Sequence, residues 1–481
     1  LVGSEMCIRD SRYADASSGE VIEVRNPYDG SLVDTVPSAT KEDLDEAVRC
    51  AVNAQKQWKQ VPVYQRVELV KKFLSLVDKN RDELAETLSL ESGKNITEVQ
   101  IEMNNIFTAW NAFSEKIKHK YDEVIPNGCE FGHDKNIVIT RREPIGVVAC
   151  IIPFNFPCNL FNQKVAPALL CGNAAIVKPA TDNPLTVCKL VGLLREAGFP
   201  AGVVQVVTGR GSTVGNYLAD HPQINAVSLT GSTEVGKTVA KTAAETLKSV
   251  ALELGGNDAF IVLEDADFEL AVTEAVNARF FNAGQICCAP KRFFIHQSLY
   301  QRFVEEVADR VSKFKAGNPL DKDTKIGTVI SEKAAKTVED QIQLTVRQGG
   351  QIVLGGHRKG AFVEPTIIKD VPVDADIMHN MEVFGPVMPI ASFDDEGEVL
   401  KLANDTIYGL GGSVFTKDMK KAMHFINEYE CGSVVINGSS YFRSFEMPFG
   451  GYKQSGVGTE GVYSTFDELT TLKCIVLKGI M

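Results

Sequence analysis

The chain has 481 residues, 44% of them hydrophobic and 23% charged, which is ordinary for a folded globular protein. This length exceeds what one hydrophobic core usually supports, so we expect two or three domains. The formal net charge of −12 argues against nucleic acid or an anionic membrane as the main partner. The 11 cysteines include no Cys-x-x-Cys pair and the 7 histidines do not cluster. We therefore predict neither a disulfide framework nor a metal site, and a reducing, cytoplasmic setting fits best.

No segment is typical of a membrane anchor or an export signal. The longest nearly unbroken apolar run, residues 146–154, is far too short to span a bilayer. The N-terminus lacks the basic region and apolar stretch of a secretory signal. Residues 1–11 show no hydrophobic period and do not begin with Met, so we interpret them as read-through sequence and exclude them from the expected fold.

The first part of the chain is predicted to be mainly helical. Two short β-like runs flank residues 26–30, whose Asn, Pro, Asp and Gly are typical of a turn. Apolar residues then recur at helical spacing, for example Leu44, Val48 and Ala51. This pattern continues to about residue 120, and we expect these helices to pack on another layer.

From residue 137 onwards, β-like runs alternate with helical runs. The β-like runs are residues 137–140, 145–152, 174–177, 203–207, 226–230, 259–262 and 292–295, and the helical runs are 185–197, 213–218 and 268–281. This alternation is typical of parallel, doubly wound sheets. Because a second cycle begins after Gly256, we expect a second α/β domain.

Cys287 is a candidate nucleophile. It follows a Gly-Gln turn within residues 281–288. A free cysteine is usually a small core hydrophobe, but a turn of this kind is a poor place for core packing. Nearby amides or a helix N-terminus there would lower the pKa of the thiol. The adjacent Cys288 is an equal competitor by pattern alone.

Two further side chains suit the chemistry of a thiol nucleophile. Glu253 follows an apolar run and precedes Leu254-Gly255-Gly256, and a carboxylate in apolar surroundings has a raised pKa suited to a general base. A solvated loop carboxylate is the alternative. Asn155, between aromatic residues and prolines, could donate to a developing oxyanion, or simply cap a turn.

Nucleotide-binding signals are weaker when taken one by one. Gly231, Ser232 and Gly236 lie where a predicted strand gives way to a helix, a place where backbone amides can bind a phosphate. The spacing is not G-x-G-x-x-G, so simple helix capping would also explain it. Lys178 follows another predicted strand and suits ribose hydroxyls or a phosphate, or else is solvated.

Together these residues resemble the aldehyde dehydrogenase superfamily, from about Asn26 to the C-terminus. The resemblance is carried by seven motifs in family order: Pro153-Phe154-Asn155-Phe156-Pro157, Lys178-Pro179-Ala180, Gly231-Ser232-Thr233, Glu253-Leu254-Gly255-Gly256, Gly284-Gln285-Ile286-Cys287, Glu382-Val383-Phe384-Gly385-Pro386 and Pro448-Phe449-Gly450-Gly451. Any one of them could arise by chance, but not all seven in order.

The resemblance implies a mechanism and assigns Cys287 as the nucleophile. The Cys287 thiolate would attack an aldehyde, and the Asn155 amide and the Cys287 N–H would hold the oxyanion of the thiohemiacetal. Hydride transfer to a nicotinamide would leave a thioester, which water activated by Glu253 would hydrolyse to the acid. By the same resemblance Lys178 and Glu382 would hold the riboses, Phe384 would pack near the nicotinamide ribose, and Ser232 would contact the pyrophosphate.

The resemblance also implies an α/β fold with a Rossmann-like dinucleotide-binding domain, an α/β catalytic domain and a β-hairpin oligomerisation arm. The expected divisions are residues 12–121 and 143–255 for the dinucleotide-binding domain, 122–142 for the arm, 256–440 for the catalytic domain and 441–481 for the return segment and C-terminal oligomerisation strand. Because an arm of this kind exposes sheet edges, we expect a homodimer or homotetramer.

The cofactor expected from the resemblance is NADP or NAD. Relatives that prefer NAD often carry a Glu at the position of Thr181, where it would repel a 2′-phosphate. Thr181 has no such charge, and Arg210 is a possible nearby cation, although Thr181 could merely start a helix and Arg210 could be solvated. We predict that NADP is accepted.

The substrate is expected to be a small polar aldehyde, and the expected class includes aldehydes with an anionic tail. Asn159, Tyr441 and Arg443 are the candidate contacts, and a guanidinium pairs well with carboxylate, phosphate or sulfonate. A structural ion pair of Arg443 is the alternative. The rival functions are a CoA-acylating dehydrogenase and a catalytically silent structural relative. Glu253 disfavours the CoA-acylating dehydrogenase. The presence of Cys287, Glu253 and Asn155 together disfavours the silent relative.

Overall fold

The computed structural model describes residues 7–9, 12–120, 122–126 and 128–480. Its helices are α1 (Lys41–Trp58), α2 (Val63–Lys79), α3 (Arg81–Ser92), α4 (Ile96–Ile117), α5 (Pro157–Cys171), α6 (Leu185–Glu196), α7 (Asn216–Asp220), α8 (Thr233–Ala244), α9 (Phe268–Phe280), α10 (Gln297–Ser312), α11 (Glu332–Arg347), α12 (Glu396–Asn404), α13 (Met419–Glu428) and α14 (Thr465–Glu468). No helix of this part of the chain is long and apolar enough to cross a membrane.

The strands are β1 (Cys7–Arg9), β2 (Arg12–Ala14), β3 (Val21–Arg25), β4 (Leu32–Pro37), β5 (Glu123–Ile125), β6 (Ile137–Pro144), β7 (Val147–Ile151), β8 (Ala174–Lys178), β9 (Val204–Val206), β10 (Ala226–Thr230), β11 (Ser249–Glu253), β12 (Asp258–Val262), β13 (Pro290–His296), β14 (Gln351–Leu354), β15 (Arg358–Lys359), β16 (Phe362–Val363), β17 (Thr366–Lys369), β18 (Val387–Phe393), β19 (Gly412–Phe415), β20 (Val434–Ile436), β21 (Gly456–Val457) and β22 (Thr470–Leu477). Three sheets of three or more strands follow from them.

The first large sheet has the strand order β2-β1-β9-β8-β7-β10-β11-β21. Strands β9, β8, β7, β10 and β11 are parallel. From β7 the chain first adds β8 and β9 on one side and then β10 and β11 on the other. The order therefore reverses between β7 and β10, and ligands of open α/β sheets bind at the carboxyl ends of strands at such a switch point.

Alternate residues of these strands supply two apolar faces. Val148 and Val177 pack with helices α2 to α6, whereas Ala149 and Ile176 pack with α1, α7 and α8. Helices on both faces explain why the strands read as continuous apolar runs. The front helices are anchored at depth, since Trp58 Nε1 donates to Leu169 O at 3.0 Å.

The second large sheet has the order β14-β17-β18-β13-β12-β19-β20 and is parallel except for β14. One face packs with α11, α12 and α13, and the other with α9 and α10. The predicted α/β fold class, with parallel central strands in both large sheets, is confirmed; the first sheet also has antiparallel pairings at its edges.

A third, antiparallel sheet has the order β22-β6-β5. The C-terminal strand β22 pairs along the whole of β6, from Thr470 opposite Pro144 to Leu477 opposite Ile137. This is the part of the chain for which an arm was expected. The division into domains by residue number, and the role of the arm in assembly, stay predictions.

The exclusion of residues 1–11 from the fold is wrong in part. Cys7–Arg9 forms β1, which pairs with β2 and contacts β9 through Ile8 opposite Val206. An edge strand offers free backbone groups to any extended segment, so pairing does not require a hydrophobic period. Residues 1–6, 10 and 11 lie outside the described residues.

Candidate active site

Two of the predicted catalytic residues come from different sheets. Glu253 ends β11, at the carboxyl edge of the first sheet, and Cys287 lies in the loop between α9 and β13 of the second. A Cβ on Gly256 would lie 2.8 Å from the Cys287 carbonyl oxygen. Glycine is therefore required where the chain beyond Glu253 passes the nucleophile loop.

The nucleophile loop has an unusual backbone. Asn282, Ala283 and Gly284 adopt φ values of 51°, 50° and 74°, and such conformations cost non-glycine residues on the order of 1–3 kcal/mol each. A Cβ on Gly284 would lie 2.2 Å from Gly385 O, so only glycine permits this close approach. Gln285 then fixes the loop, because its Nε2 donates to Asn282 O at 3.0 Å and its Oε1 accepts from Ile330 N at 2.9 Å.

The two adjacent cysteines differ in exposure. Cys287 is half-buried, whereas Cys288 is 5% exposed and its carbonyl accepts from Ser440 Oγ at 2.8 Å. The neighbouring Cys288 thiol and burial both raise the pKa of Cys287 well above its usual value. The resting group is thus a thiol, and its attack requires a base.

Glu253 is suited to be that base. It is 3% exposed, and no N–H or O–H donor among the described residues bonds to either carboxylate oxygen. Burial, followed by the nearby Cys287 and Glu460, raises the pKa of Glu253 well above its usual value, and Lys164 opposes this effect. A carboxylate with a raised pKa can accept a proton near neutral pH.

Asn155 lies beside the nucleophile loop in a fixed orientation. Its Nδ2 donates to Gln285 O at 3.1 Å, which occupies one of its two amide hydrogens. Its backbone oxygen accepts from Lys94 Nζ at 2.8 Å and from Asn282 Nδ2 at 3.0 Å. The second amide hydrogen remains for a ligand, and within the described part of the chain the Cys287 N–H donates no hydrogen bond.

A cavity of about 400 Å³ joins these groups. It is lined by Ile101, Asn105, Phe156, Asn159, Leu160, Gln163, Glu253, Glu274, Ile286, Cys287, Cys288, Ser439, Tyr441, Phe442, Arg443, Phe445, Phe449 and Glu460. The three predicted substrate contacts, Asn159, Tyr441 and Arg443, are all among them. A volume of this size suits a small molecule.

The guanidinium of Arg443 is already engaged inside the cavity. Its Nη2 lies 3.6 Å from Glu460 Oε2, and its Cζ lies 3.5 Å from the centre of the Phe449 ring. Glu460 also accepts from Lys164 Nζ at 2.5 Å. The structural ion pair considered as the alternative is therefore present, although Arg443 still lines the cavity. Tyr441 packs against Phe281 with ring centres 5.2 Å apart.

Gln163 was missed by sequence reasoning. It is 2% exposed, lines the cavity, and has no hydrogen-bond partner for its Nε2 or Oε1 among the described residues. Asn159, one helical turn before it on α5, has an unpartnered Oδ1. Buried amides without partners are rare in proteins, so both side chains are available to a ligand.

The expected dinucleotide residues gather at the carboxyl edge of the first sheet. Lys178 ends β8, is 3% exposed and, among the described residues, donates only to Pro179 O at 2.8 Å. Burial lowers its pKa to about 8. Thr230 ends β10 with a buried hydroxyl that has no described partner. Gly231 N donates to Glu253 O at 3.0 Å, and Ser232 caps α8. Gly236 packs instead on Leu254, where a Cβ would lie 2.4 Å from the leucine side chain.

A groove of about 350 Å³ continues from this edge between α7 and α8. It is lined by Ile151, Gly211, Ser212, Gly215, Asn216, Leu229, Glu234, Val235, Thr238 and Val239. A Cβ on Gly211 or Gly215 would meet nothing within 4 Å. Thr181 Oγ1 donates to Gly209 O at 3.2 Å, which brings Thr181 next to the exposed Arg210. An open groove beside a helix N-terminus and a buried lysine fits a dinucleotide.

Glu382 and Phe384 both lie near Lys291, whose Nζ is 6.0 Å from the centre of the Phe384 ring. Glu382 Oε1 accepts from Gly256 N at 3.2 Å and lies 3.3 Å from Lys291 Nζ, which also donates to Cys287 O at 2.5 Å. The position of Lys291 in the site was not predicted, because a lysine at the start of a strand is usually exposed to solvent. Fully buried Arg279 holds the Glu382 loop by donating to Val383, Gly385 and Val387 carbonyls.

The sequence model of the aldehyde dehydrogenase family matches residues 13–475. The chain belongs to this family. It is 37% identical over 461 residues to a lactaldehyde dehydrogenase of Methanococcus aeolicus (95% of this chain and 97% of that protein). It is also 37% identical over 474 residues to a 3-sulfolactaldehyde dehydrogenase of Pseudomonas putida (98% and 96%).

Solved structures agree with this assignment. An Escherichia coli NADP-dependent enzyme superposes with a TM-score of 0.95 at 35% identity (99% of this chain and 98% of that one). A betaine aldehyde dehydrogenase from Staphylococcus aureus, in complex with NAD+, superposes with a TM-score of 0.95 at 34% identity (99% and 95%). The predicted fold class and the prediction that this aldehyde dehydrogenase is an enzyme are confirmed. The roles of individual residues stay predictions.

Proposed function

We propose that this aldehyde dehydrogenase oxidises a small, hydroxyl-bearing aldehyde to its carboxylic acid, with NAD or NADP as the hydride acceptor. The observation that carries the proposal is the single cavity shared by Cys287, Glu253 and the unpartnered carboxamide of Gln163. The first two supply a nucleophile and a base, and the third supplies recognition of a polar tail.

Cys287 and Glu253 share the chemical work. Glu253 accepts the thiol proton as Cys287 Sγ bonds to the carbonyl carbon, and Asn155 Nδ2 and the Cys287 N–H donate to the resulting oxyanion. A bound nicotinamide supplies the hydride acceptor. Glu253 releases that first proton to solvent and then accepts a proton from water as the water oxygen attacks the thioester carbon. The C–S bond breaks, the acid is released, and the proton on Glu253 returns to the Cys287 sulfur. The raised pKa of Glu253 matches both proton transfers.

The cofactor assignment rests on the groove along the first sheet. Lys178 and Ser232 would hold ribose and phosphate groups at the switch point, and Glu382 would hold the second ribose near Cys287. Thr181 Oγ1 donates to the carbonyl of Gly209, the residue before Arg210, and the Thr181 side chain carries no charge that would repel a 2′-phosphate. NADP is therefore accepted as well as NAD, which agrees with the NADP and NAD+ named for the two solved relatives.

The cavity favours a hydroxyl over an anionic tail. A carboxamide can donate to and accept from one hydroxyl at the same time, and both functions of Gln163 are unpaired. Arg443, the cation that an anionic tail would need, faces Glu460. Lactaldehyde, the substrate in the name of the Methanococcus aeolicus relative, carries such a hydroxyl next to its carbonyl, and an anionic sulfo-analogue would have to displace the Arg443–Glu460 contact.

The test compares lactaldehyde with propanal, which has the same carbon chain without the hydroxyl. We expect kcat/KM to favour lactaldehyde by about tenfold or more, because a buried amide left unpaired by propanal is costly. Gln163→Leu should remove most of this ratio. Arg443→Ala is the matched control and should leave the ratio for this neutral pair unchanged.

Other aldehydes and the product decide between the remaining possibilities. Succinate semialdehyde and 3-sulfolactaldehyde should be poorer substrates than lactaldehyde; if they are better, and Arg443→Ala abolishes that advantage, the tail is anionic. A preference for hexanal or benzaldehyde would refute a polar cavity. Free acid rather than acyl-CoA should form when CoA is present, because Glu253 would activate water.

A further inference from the structure

We propose that Lys94 and Glu102 form a buried positioning pair that holds Asn155 in the orientation required to donate to the oxyanion. The inference rests on the role proposed above for Asn155. Neither Lys94 nor Glu102 lines the substrate cavity, so the pair would act through Asn155 rather than on the substrate.

The pair is completely enclosed. Lys94 Nζ lies 2.6 Å from Glu102 Oε2, and each side chain is 1% exposed. Lys94 Nζ also donates to Asn155 O at 2.8 Å and lies 4.1 Å from the centre of the Phe156 ring. Burying two charges is costly and rarely justified by stability alone. The Lys94 ammonium therefore contacts one carboxylate and two consecutive residues, 155 and 156.

Glu102 binds two residues beyond Pro157 with its other oxygen. Its Oε1 accepts from Cys158 N at 2.9 Å and from Asn159 N at 3.2 Å, at the start of α5. The residue before this helix, Phe156, provides no side-chain cap, so the carboxylate replaces one. A charge at this position is also favoured by the helix dipole. The pair thus grips the chain on both sides of Pro157.

The opposite side of Asn155 is attached to the nucleophile loop. Asn282 Nδ2 donates to Asn155 O at 3.0 Å, and Asn155 Nδ2 donates to Gln285 O at 3.1 Å. The amide is therefore clamped between the Lys94–Glu102 pair and the loop that carries Cys287. Misplacement of a catalytic donor by 1 Å can cost about a hundredfold in rate, so loss of one side of this clamp should be visible in catalysis.

Glu102→Gln tests the pair with little change of shape. The carboxamide oxygen can still accept from the two amides of α5, while its NH2 group faces the Lys94 ammonium and cannot pair with it. Lys94→Met removes the other partner. The double variant Lys94→Met/Glu102→Gln leaves no unpaired charge and keeps the test usable if a single variant folds poorly.

Glu91→Gln is the matched control. Glu91 is also a fully buried carboxylate that caps a helix, since it accepts from Leu185 N at 2.7 Å and from Thr186 N at 2.9 Å at the start of α6. Its described hydrogen bonds reach no residue of the proposed active site. It should therefore reproduce the structural cost of the substitution without its effect on Asn155.

The readout is the rate of the first burst of reduced cofactor, with whichever aldehyde the wild type oxidises best. We expect a burst about 10-fold to 100-fold slower in the Lys94 and Glu102 variants. The dissociation constant of the cofactor and the rate at which iodoacetamide alkylates Cys287 should both stay within about twofold of wild type, well short of a tenfold change. Glu91→Gln should keep the wild-type burst rate.

A second comparison separates positioning from general support of the fold. In the Asn155→Ala background, adding Glu102→Gln should change the burst rate by less than about twofold, because residues that act as a unit are not additive. Multiplicative losses, or an equal loss in Glu91→Gln, would overturn the inference. A wild type that forms no reduced cofactor with any aldehyde would instead overturn the proposed function.

Discussion

Cys287 and Glu253 both hold their protons more tightly than they would in water. Cys288 and burial raise the pKa of Cys287, and burial raises that of Glu253. Cys287 raises the pKa of Glu253, whereas the contact with Glu253 lowers the pKa of Cys287, so their titrations are coupled and belong to the pair. Activity should therefore rise as pH increases through the range in which the pair first loses a proton.

The two residues should fail in different ways when they are replaced. Cys287→Ala should lower turnover by on the order of 10⁴-fold or more, since no covalent intermediate can form. Glu253→Gln should instead leave a burst of reduced cofactor followed by slow turnover, because hydride transfer precedes hydrolysis. Stopped-flow absorbance of reduced cofactor distinguishes the two patterns.

Cys288→Ala is the control for the nucleophile. Its thiol is more deeply buried than that of Cys287, and the substitution should retain much of the activity. Inactivation by Cys288→Ala with full activity in Cys287→Ala would reverse the assignment. Full steady-state turnover in Glu253→Gln would remove Glu253 from the mechanism.

Thr181 should influence the choice of cofactor. Because its hydroxyl lies against the Gly209 carbonyl, a Glu at this position would bring a carboxylate to the region of Arg210. We expect Thr181→Glu to lower kcat/KM for NADP by about tenfold or more through repulsion of the 2′-phosphate, with little loss for NAD. Thr181→Ser should behave like wild type. A wild-type preference for NAD above about a hundredfold, or nearly 3 kcal/mol, would contradict the idea.

At the scale of elements, a buried carboxyl links α3 to the start of α6. Burial, partly offset by hydrogen bonds from Thr186 and Leu185, raises the pKa of Glu91 to about 7, above the value of about 4.3 expected for an unfolded chain. A carboxyl of this kind stabilises the folded state most below its unfolded pKa, and this contribution is lost as pH rises towards 7. Glu91 should therefore lower the free energy of unfolding by up to about 3 kcal/mol across this interval.

Glu91→Gln removes the titration and should give a flatter dependence of stability on pH. Denaturant unfolding of both proteins at pH 5, 6 and 7 measures this difference. The wild type should lose more stability than the variant between pH 5 and pH 7. Parallel curves would mean that Glu91 titrates at an ordinary pKa in the folded state.

The elements themselves were largely predictable, because burial on both faces leaves continuous apolar runs. The predicted strand at 174–177 is β8 short of one residue, and the one at 226–230 coincides with β10. Residues 213–218 were predicted as one short helix, but the chain forms a π-helical turn at Gly211–Gly215 before α7. Wider helical turns have no distinct apolar period, so the pattern could not reveal one.

The support of the site could not be predicted in the same way. Lys94 and Asn155 lie 61 residues apart in sequence, and nothing local to either indicates their contact. Gln163 lies within a helix that is buried on nearly all sides. The sequence pattern of such a helix does not indicate which of its faces borders the cavity. The predicted trio of Cys287, Glu253 and Asn155 came from motif order, whereas the residues that orient it arise only when distant elements pack.

At the scale of the whole molecule, the third sheet differs from the two large sheets because several of its apolar side chains are exposed. Ile125, Val138 and Val476 lie side by side across β5, β6 and β22. Ile125 is 42% exposed and Val476 is 56% exposed. A contiguous exposed apolar row on a sheet with two free edges is typical of an interface.

We therefore expect this aldehyde dehydrogenase to form a homodimer or homotetramer through the third sheet. Val476→Lys should shift the mass measured by light scattering during size-exclusion chromatography towards smaller species, because a charge at the centre of an apolar contact must be desolvated without a partner. Val21→Lys is the matched control, since Val21 is a similarly exposed valine (53%) on a strand outside this sheet, and it should leave the mass unchanged. A wild type that remains monomeric at every concentration, or an equal shift in both variants, would show that the exposed row is not the contact between subunits.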